Sequence, residues 1–333
     1  MSSTSSSTSS SDPRAMIPSE VKAVASRKAF GDALKVLGDR DDRIVVLDAD
    51  LSKSTMSQVF AKAHPERFFE MGIQEANMIG TAAGLALNGQ IPFCCSFACF
   101  LTGRYDQIRM SVAYSQAPVR LVGTHSGVGI GPDGFSQMGL EDLGLMRALP
   151  TMLVLQPADD IETQQMVEFL ADDPRPAYLR LTRQNLPRVH HDEYRFAVGR
   201  FPRLVEGSDV TVLATGGCVG HAVEAALALH SRGISTRVLN ASCIKPLDED
   251  AIVQAAKETG GLVTVEDHSV LGGLGGAVAE VLSQRAPARL LRIGIQDVFG
   301  ESGTPDSLYE KHGLNAKGIE RQVATFVNEV LRA

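Results

Sequence analysis

Residues 68–77, FFEMGIQEAN, join a short apolar strand to the start of a helix through a glycine turn. The strand covers Phe68 to Met71, and Glu75 stands where the helix begins. An acidic side chain at a helix start is stabilised by the helix dipole, which by itself would explain Glu75. The helix that follows is rich in small residues that allow close packing on another helix, namely Gly80, Ala82, Ala83 and Gly84.

The same alternation of short apolar strands with amphipathic helices continues on both sides of this unit. This α/β pattern predicts two doubly wound domains, the second smaller than the first. Helices are expected between the strands, including 27–37, 57–63 and a final helix at 318–331. The other predicted strands are 44–47, 91–96, 119–124, 152–155, 177–181, 210–214, 235–239, 262–265 and 290–293.

Composition suggests where the domains begin and end. Eight of the first twelve residues are Ser and two are Thr, so we predict a disordered tail at 1–20. A polar, His-bearing segment at 189–204 interrupts the alternation and is predicted to be a linker. The first domain then covers 21–188 and the second covers 205–333.

Charge and composition exclude several classes of protein. With 44% apolar and 21% charged residues, this chain of 333 residues is typical of an ordinary globular protein. Its net charge of -7 provides no basic field for nucleic acid or an anionic membrane. The five cysteines form no C-x-x-C pair, which argues against structural zinc and a disulfide framework. Because no apolar run approaches the roughly 18 residues of a membrane span and no signal-peptide pattern is present, we expect a cytoplasmic location.

Four motifs, in the same order along the chain, resemble the transketolase family of thiamine diphosphate enzymes. Residues 72–75, GIQE, resemble the G-I-x-E motif of the pyrimidine-binding domain. Residues 124–134, THSGVGIGPDG, are similar to T-H-D-S-x-G-x-G-E-D-G, and residues 181–187, LTRQNLP, are similar to S-R-Q-N-L-P. Residues 299–303, FGESG, with LY at 308–309, resemble the C-terminal F-G-x-S-G loop. The resemblance implies a pyrimidine-binding domain followed by a smaller transketolase C-terminal domain.

The resemblance also implies thiamine diphosphate and Mg²⁺ as cofactors. Glu75 would bond a ring nitrogen of the aminopyrimidine and begin a proton relay to the thiazolium carbon, which is acid–base catalysis. Phe97 and Phe100 match positions that stack on this ring, although two phenylalanines three residues apart are also typical of a plain core. Asp50 is a further candidate for contact with the cofactor.

Five residues match the substrate site of the family. His125 matches a histidine that contacts substrate hydroxyls or phosphate, and it is a catalytic candidate. Asp133 matches an aspartate that contacts a hydroxyl beside the reacting carbonyl. Arg183 and Arg27 match two arginines of the sugar-phosphate site, where a planar guanidinium suits phosphate. Ser54 matches a hydroxyl donor at the same phosphate.

One departure from the family pattern concerns the sugar. Residues 133–138 read DGFSQM where transketolases read D-G-P-T-H-Q, so Gln137 replaces a histidine that helps to hold the substrate phosphate. Losing a cationic donor weakens the recognition of phosphate. We therefore predict that Gln137 belongs to the substrate site and that the sugar is unusual, for example branched, sulfonated or not phosphorylated at the usual end.

A partner subunit is expected as well. In the family, the diphosphate and Mg²⁺ are held by a Gly-Asp-Gly motif and a later Asn on a preceding domain, and no Gly-Asp-Gly occurs in this sequence. We expect an N-terminal-half transketolase subunit to supply those oxygen ligands, with no metal ligand from this chain. Two copies of each subunit would form a heterotetramer in which this chain self-associates as a dimer.

Three other interpretations remain open at this point. The β-subunit of a 2-oxo acid dehydrogenase and the corresponding half of a deoxyxylulose phosphate synthase share the fold and the glutamate. Residues 183–187, RQNLP, argue against both, whereas residues 104–107, RYDQ, resemble the synthase more closely. A non-catalytic stabilising partner would have no use for Glu75. In the second domain, EDH at 266–268 beside GGLGG at 272–276 is interpreted as close backbone packing rather than as a catalytic cluster.

Overall fold

Within the described residues, two large sheets of mostly parallel strands are each packed against helices, and Ala23–Ala25 pairs with Asn185–Pro187 in a separate two-stranded antiparallel sheet. The computed structural model describes residues 22–332, so the predicted Ser-rich tail at 1–20 lies outside the described residues. The order of strands in both sheets agrees with the predicted α/β class. None of the helices in the described range combines the length and the apolar character that crossing a bilayer requires.

The elements of residues 22–332 are as follows. The strands are β1 Ala23–Ala25, β2 Ile44–Asp48, β3 Phe68–Glu70, β4 Ile91–Phe97, β5 Arg120–Thr124, β6 Leu153–Leu155, β7 Ala177–Arg180, β8 Asn185–Pro187, β9 Arg203–Val205, β10 Val210–Ala214, β11 Thr236–Asn240, β12 Cys243–Lys245, β13 Leu262–Ser269 and β14 Leu290–Ile295. The α-helices are α1 Ser26–Gly38, α2 Ser52–Thr55, α3 Gln58–Ala63, α4 Glu75–Leu87, α5 Ala98–Thr102, α6 Tyr105–Gln107, α7 Asp142–Ala148, α8 Asp160–Asp172, α9 Cys218–Ser231, α10 Glu249–Glu258, α11 Leu274–Arg285, α12 Pro305–Lys311 and α13 Ala316–Phe326. The 3₁₀ turns are Pro65–Arg67, Val128–Ile130 and Phe135–Gln137, and the π-helical segments are Ile108–Tyr114 and Val327–Leu331.

The first sheet has seven strands in the order β12-β6-β7-β5-β4-β2-β3. All neighbours in it are parallel except β12, which runs antiparallel to β6. Every residue of β2, β4, β5 and β7 is buried. A parallel sheet covered on both faces has continuous apolar strands, and this is why the sequence pattern predicts these strands well.

The second sheet has five strands in the order β14-β13-β10-β11-β9. Its strands are parallel except β9, which is antiparallel to β11. Helix α9 packs against both α13 and the sheet. The two long helical predictions at the ends of the chain, 27–37 and 318–331, correspond to α1 and to α13 with its π-helical extension.

Four strands of three residues each were not predicted, namely β1, β8, β9 and β12. A strand of three residues is too short to show an alternating or continuous apolar pattern, and it forms because a partner strand is near. The clearest case is β12, which follows β11 in the chain but pairs with β6, with Cys243 opposite Leu155. The chain therefore returns from the second half to complete the edge of the first sheet.

Buried hydrogen bonds fix the predicted linker, 189–204, to the first half. The carboxylate of Asp159 accepts hydrogen bonds from the backbone N–H groups of Val189 (3.0 Å) and His190 (2.9 Å). The same carboxylate lies 2.9 Å from the imidazole Nδ1 of His190 and caps α8 through the N–H of Glu162. Both Asp159 and His190 are buried. The start of this segment is therefore held in one position relative to α8.

A buried ion pair lies where the two halves meet. The Arg180 guanidinium donates to the Asp142 carboxylate from Nε at 2.7 Å, and its Nη2 donates to the backbone oxygen of Asp267 at 3.0 Å. Tyr178 donates its hydroxyl to the same carboxylate at 2.7 Å. Burial opposes ionisation of Asp142, but the charge and hydrogen bonds of Arg180 outweigh it and hold the pKa of Asp142 below its usual value. The pair thus connects β7 to α7 and to β13.

Replacement of Arg180 by Ala is expected to lower the free energy of unfolding by about 3–5 kcal/mol, because it leaves the Asp142 carboxylate buried without its cation. Urea denaturation of the full chain measures this loss. Arg285→Ala is the control, since Arg285 pairs with Glu249 and Asp250 on the surface and its removal should change the midpoint little. Equal midpoints for the two variants would contradict the role given to the buried pair.

Candidate active site

The candidate residues gather at the carboxyl edge of the seven-stranded sheet, where ligands bind in open α/β folds. Ser54 lies in the segment after β2, and Phe97 is the last residue of β4. His125 directly follows β5, and Arg183 lies just beyond β7. Because these strands are parallel neighbours, loops that are far apart in sequence meet at one edge.

Arg27 reaches this edge through the short antiparallel pair of β1 and β8. In this pair Ala25 lies opposite Asn185. The Ser26 hydroxyl accepts the backbone N–H of Thr182 at 2.9 Å and lies 3.2 Å from the Thr182 hydroxyl. The next residues in each segment are Arg27 and Arg183, so the two arginines are brought to the same site.

The two guanidinium groups form a cationic pair. Nη1 of Arg27 donates to the backbone oxygen of Ser54 at 2.7 Å, and Nη1 of Arg183 donates to the backbone oxygen of Ile130 at 2.6 Å. Burial lowers the pKa of Arg27, and the charge of Arg183 lowers it further. Within residues 22–332 neither group forms a salt bridge with a carboxylate. Such a pair attracts an anion from outside the chain.

His125 lies against this pair as a neutral imidazole. Its Nε2 is 3.4 Å from Nη1 of Arg27, and its Nδ1 is 2.9 Å from the Thr124 hydroxyl. That hydroxyl donates to the backbone oxygen of Ser96 at 3.3 Å, so we assign the imidazole proton to Nδ1 and leave Nε2 as an acceptor. Burial, Arg27 and Arg183 lower the pKa of His125 to about 3. The imidazole therefore stays uncharged at neutral pH.

Three rings stack beside the cationic pair. Phe97 stacks on His125 with ring centroids 3.9 Å apart and on Phe100 with centroids 5.5 Å apart. Phe97 is 4% exposed, so other residues of the chain cover its ring and leave almost no ring surface for a ligand. Phe100 is only partly buried and keeps ring surface that a flat ligand can cover. The two phenylalanines therefore differ in what they offer to a ligand.

Glu75 is the first residue of α4, and it is 4% exposed. Within residues 22–332 its carboxylate makes no hydrogen bond, and its oxygens are not among the fully buried atoms that lack a partner, so they face space that a ligand can occupy. A protonated or N–H-bearing ring nitrogen of a ligand would provide a hydrogen-bond partner there. The site therefore fits the aminopyrimidine of thiamine diphosphate at the residue that the family motif indicates.

The structure does not connect every predicted residue to this cluster. Asp50 is exposed beyond β2 in a left-handed conformation (φ 61°), and its N–H donates to the Glu70 carboxylate at 2.7 Å. Asp133 is exposed on the loop after β5, and Gln137 is partly buried in the 3₁₀ turn. Within the described residues, the side chains of Asp50, Asp133 and Gln137 make no hydrogen bond to the cationic pair or to His125.

Asp48 supports the site but was not predicted. This last residue of β2 is fully buried, and its carboxylate accepts from the N–H of Leu51 (2.7 Å) and from the hydroxyls of Thr55 (2.7 Å) and Ser57 (2.8 Å). These bonds shape the turn that carries Ser54. Burial raises the pKa of Asp48 to about 6. An acidic residue ending an otherwise apolar strand is the sequence signal that would have identified it.

Two family models match the chain in succession. The transketolase pyrimidine-binding domain matches residues 22–189, and the transketolase C-terminal domain matches residues 199–319. The two matches cover most of the described residues, and they follow the same order as the two sheets.

Individual proteins match over almost their full length. The 6-deoxy-6-sulfo-D-fructose transketolase subunit SqwH of Clostridium sp. (strain MSTE9) is 42% identical over 296 residues, which is 89% of this chain and 92% of that protein. One of the subunits of the apulose-4-phosphate transketolase of Phocaeicola vulgatus is 39% identical over 309 residues, 92% of this chain and 98% of that protein. A solved split-gene transketolase, an inactive β4 tetramer, is 46% identical with a TM-score of 0.86, over 93% of this chain and 100% of that one.

Replacement of Arg27 by Gln should raise the pKa of His125 from about 3 toward its ordinary value, because one of the two cations that disfavour the imidazolium is removed. NMR titration of the histidine ring protons measures the change. Arg43→Gln serves as the control, since Arg43 is exposed and bonds only to Asp41. An unchanged His125 titration in the Arg27 variant would show that the guanidinium does not act on this imidazole.

Proposed function

Because the chain belongs to the transketolase family, we propose that it is the C-terminal subunit of a split transketolase. The reaction transfers a two-carbon ketol unit from a ketose or ketose phosphate to an aldose or aldose phosphate. It requires an N-terminal-half partner subunit. The observation that carries this proposal is Glu75, a residue only 4% exposed whose carboxylate makes no hydrogen bond within residues 22–332 and keeps its oxygens open to a ligand.

The residues of this chain act on the ring end of the cofactor. When bound, thiamine diphosphate supplies a nucleophilic thiazolium carbon, which no amino-acid side chain can provide. Glu75 holds a proton at the aminopyrimidine nitrogen and so sets the tautomer of that ring. Phe100 offers the face on which the ring stacks, and Phe97 fixes the position of Phe100 and of His125. Asp50, exposed at the same sheet edge, is a further cofactor contact.

The cationic pair binds the end of the sugar that does not react. Arg27 and Arg183 supply the positive charge, and Ser54 supplies a hydroxyl donor beside them. The neutral His125 keeps Nε2 as a hydrogen-bond acceptor, which suits a sugar hydroxyl and makes the residue available for proton transfer. Asp133 contacts a hydroxyl close to the reacting carbonyl.

The sugar itself carries an anionic group, and its skeleton differs from the usual one. The names of two relatives specify 6-deoxy-6-sulfo-D-fructose and apulose 4-phosphate, and the sulfonate of one and the phosphate of the other are both anionic. We assign Gln137 to the substrate site, where it would present a neutral amide in place of the family's histidine. This change shifts recognition from the charge of the tail toward the hydroxyls of the sugar.

The partner subunit holds the diphosphate and supplies the protein ligands of the Mg²⁺ ion. Three observations support this division. The sequence contains no Gly-Asp-Gly motif. The relatives above are named as subunits or as the product of a split gene. Glu75 has no hydrogen-bond partner among the described residues of its own chain. Two copies of each subunit form the active heterotetramer.

The outer face of α4 supports a contact with another polypeptide. Asn77, Gly80, Gly84 and Leu87 recur at helical spacing, which places them on one face. Leu87 is 65% exposed, and a side chain built on Gly84 would meet no other atom within 4 Å. Just before this helix, Ile73 is 73% exposed. Ile73 and Leu87 thus leave exposed apolar side chains before α4 and at its end, and assembly would bury them.

Replacement of Glu75 by Gln should lower kcat of the assembled enzyme by at least about 100-fold, because a proton-transfer group is lost from the cofactor ring. The assay measures ketol transfer after co-expression with an N-terminal-half subunit, in thiamine diphosphate and Mg²⁺. Glu168→Gln, at an exposed residue that pairs with Arg40, is the control. Full turnover by the Glu75 variant would refute the catalytic assignment.

The same assay tests whether this chain needs the partner subunit to bind the cofactor and to turn over a ketose. The chain alone should not bind the Mg²⁺–thiamine diphosphate complex tightly and should not turn over a ketose. Addition of the partner subunit should produce both tight binding and turnover. Turnover by the chain alone would contradict the proposal. Decarboxylation of pyruvate without ketol transfer would place the chain with the β-subunits of 2-oxo acid dehydrogenases or with deoxyxylulose phosphate synthases.

Replacement of Gly84 by Glu should prevent assembly without unfolding the chain. The space around Gly84 is open, and glutamate suits a helix interior better than glycine, so the melting temperature of the separate chain should stay equal or rise. Size-exclusion chromatography with light scattering measures assembly. Glu168→Ala is the surface control. Normal assembly of the Gly84 variant would show that this face of α4 stays uncovered.

A further inference from the structure

We infer that Asp267, Tyr309 and Gln184 form a positioning clamp on the loop 127–131, and that through it the second half of the protein sets the affinity of the substrate site. This inference rests on the proposed function for the identity of the substrate. The residues are positioning residues, because within residues 22–332 none of their side chains hydrogen-bonds to Arg27 or Arg183.

The Asp267 carboxylate binds the backbone of the loop. It accepts the N–H of Val128 at Oδ1 (2.8 Å) and the N–H of Gly129 at Oδ2 (3.1 Å). Asp267 belongs to β13 and is 1% exposed, whereas the loop follows β5 of the other sheet. Gly127 has a φ of 77°, and a Cβ there would collide with the Asp267 carboxylate. The loop is therefore built to approach this side chain closely.

Tyr309 and Gln184 close the clamp from the other side. The Tyr309 hydroxyl donates to Oδ2 of Asp267 at 2.9 Å and accepts Nε2 of Gln184 at 2.8 Å. The Gln184 amide lies over Gly129, where a Cβ would collide with it. The loop backbone bonds to the Asp267 carboxylate, the carboxylate to the Tyr309 hydroxyl, and the hydroxyl to the Gln184 amide, which lies against the loop again at Gly129.

The clamped loop carries the substrate residues on either side of it. His125 precedes it with a φ of 56°, and Asp133 follows it. Within the loop, the backbone oxygen of Ile130 accepts Nη1 of Arg183 at 2.6 Å. A displaced loop would release Arg183 and turn His125 away from Arg27. The clamp therefore acts on the anion-binding end of the site.

The hydrogen bonds around Asp267 match a carboxylate. Burial raises the pKa of Asp267 above its usual value, and the charge of Arg180 and the hydrogen bonds from Val128, Tyr309 and Gly129 limit that rise. All three hydrogen-bond partners donate, and an ionised carboxylate accepts from all of them. The clamp needs Asp267 as a carboxylate. An asparagine at this position would turn its own NH₂ group toward one of these hydrogen-bond donors.

The neighbouring Glu266 provides a matched control. It is also fully buried in β13, and its carboxylate also accepts two backbone N–H groups, those of Leu274 (2.7 Å) and Gly275 (2.8 Å). These two partners open α11 within the second half. Burial raises the pKa of Glu266 to about 7, so at a pH above that value Glu266→Gln repeats the chemical change of Asp267→Asn without touching the substrate loop.

Hydrogen–deuterium exchange of the full chain examines the clamp without a partner or substrate. In Asp267→Asn, amide exchange in peptides covering 124–135 should accelerate at least about tenfold, because two hydrogen bonds to a charged acceptor are weakened. In Glu266→Gln the acceleration should be confined to peptides covering 270–280. Equal exchange of the 124–135 peptides in Asp267→Asn and in the unsubstituted chain would overturn the inference.

Kinetics of the assembled enzyme examine the consequence. Asp267→Asn should raise KM for a ketose with an anionic tail by about tenfold and change kcat less than about threefold, because ground-state binding is weakened. KM for an unphosphorylated four-carbon ketose should rise less, because that sugar lacks the anionic tail that Arg27 and Arg183 bind. Glu266→Gln should change neither. Tyr309→Phe, which removes one hydroxyl and keeps the carboxylate, should give a smaller shift in the same direction.

The two proposals can fail separately. If the unsubstituted assembly transfers no ketol unit, the proposed function is wrong, while the exchange measurement still decides whether the clamp exists. If the assembly is active and neither Asp267→Asn nor Tyr309→Phe raises KM for the anionic ketose, the clamp inference is wrong and the function stands. Should Asp267→Asn fail to fold, the Tyr309→Phe result decides.

Discussion

Two guanidinium groups repel each other, and the candidate site depends on the backbone that holds Arg27 and Arg183 together against that repulsion. The antiparallel pairing of β1 with β8, and the bonds of Ser26 to Thr182, place the two arginines side by side. Their combined charge has a second effect, since together with burial it keeps His125 neutral. One backbone constraint therefore gives the site both its attraction for anions and an imidazole that accepts hydrogen bonds.

Much of this arrangement can be predicted from the sequence, and the reason is physical. Strands buried on both faces, such as β2 and β5, appear as continuous apolar runs, and a glycine-rich loop after a strand marks the functional edge of a sheet. Motifs then indicate individual residues, including Glu75 and His125. The roles of those residues in binding and catalysis remain predictions.

Other features depend on contacts that no local pattern reveals. The three-residue strands form only because partner strands lie beside them. About 160 residues of chain separate β1 from β8, and neither segment contains a pattern that predicts their pairing. Tertiary packing also determines the turn that Asp48 stabilises and the stacking of the Phe97 ring on His125. The missing hydrogen-bond partner of Glu75 can be recognised only once the surrounding chain is in place.

The return of β12 to the first sheet has a consequence for how the protein is divided. The two halves have separate sheets, yet residues 243–245 from the second half pair with β6 of the first. Cleavage of the chain anywhere in 189–204 would place β12 and β6 on different fragments. The edge of β6 would then carry unpaired backbone N–H and C=O groups that another chain can pair with, which is a common route to aggregation. The boundary seen in sequence comparisons is therefore not a place where the polypeptide can be severed into two independently soluble modules.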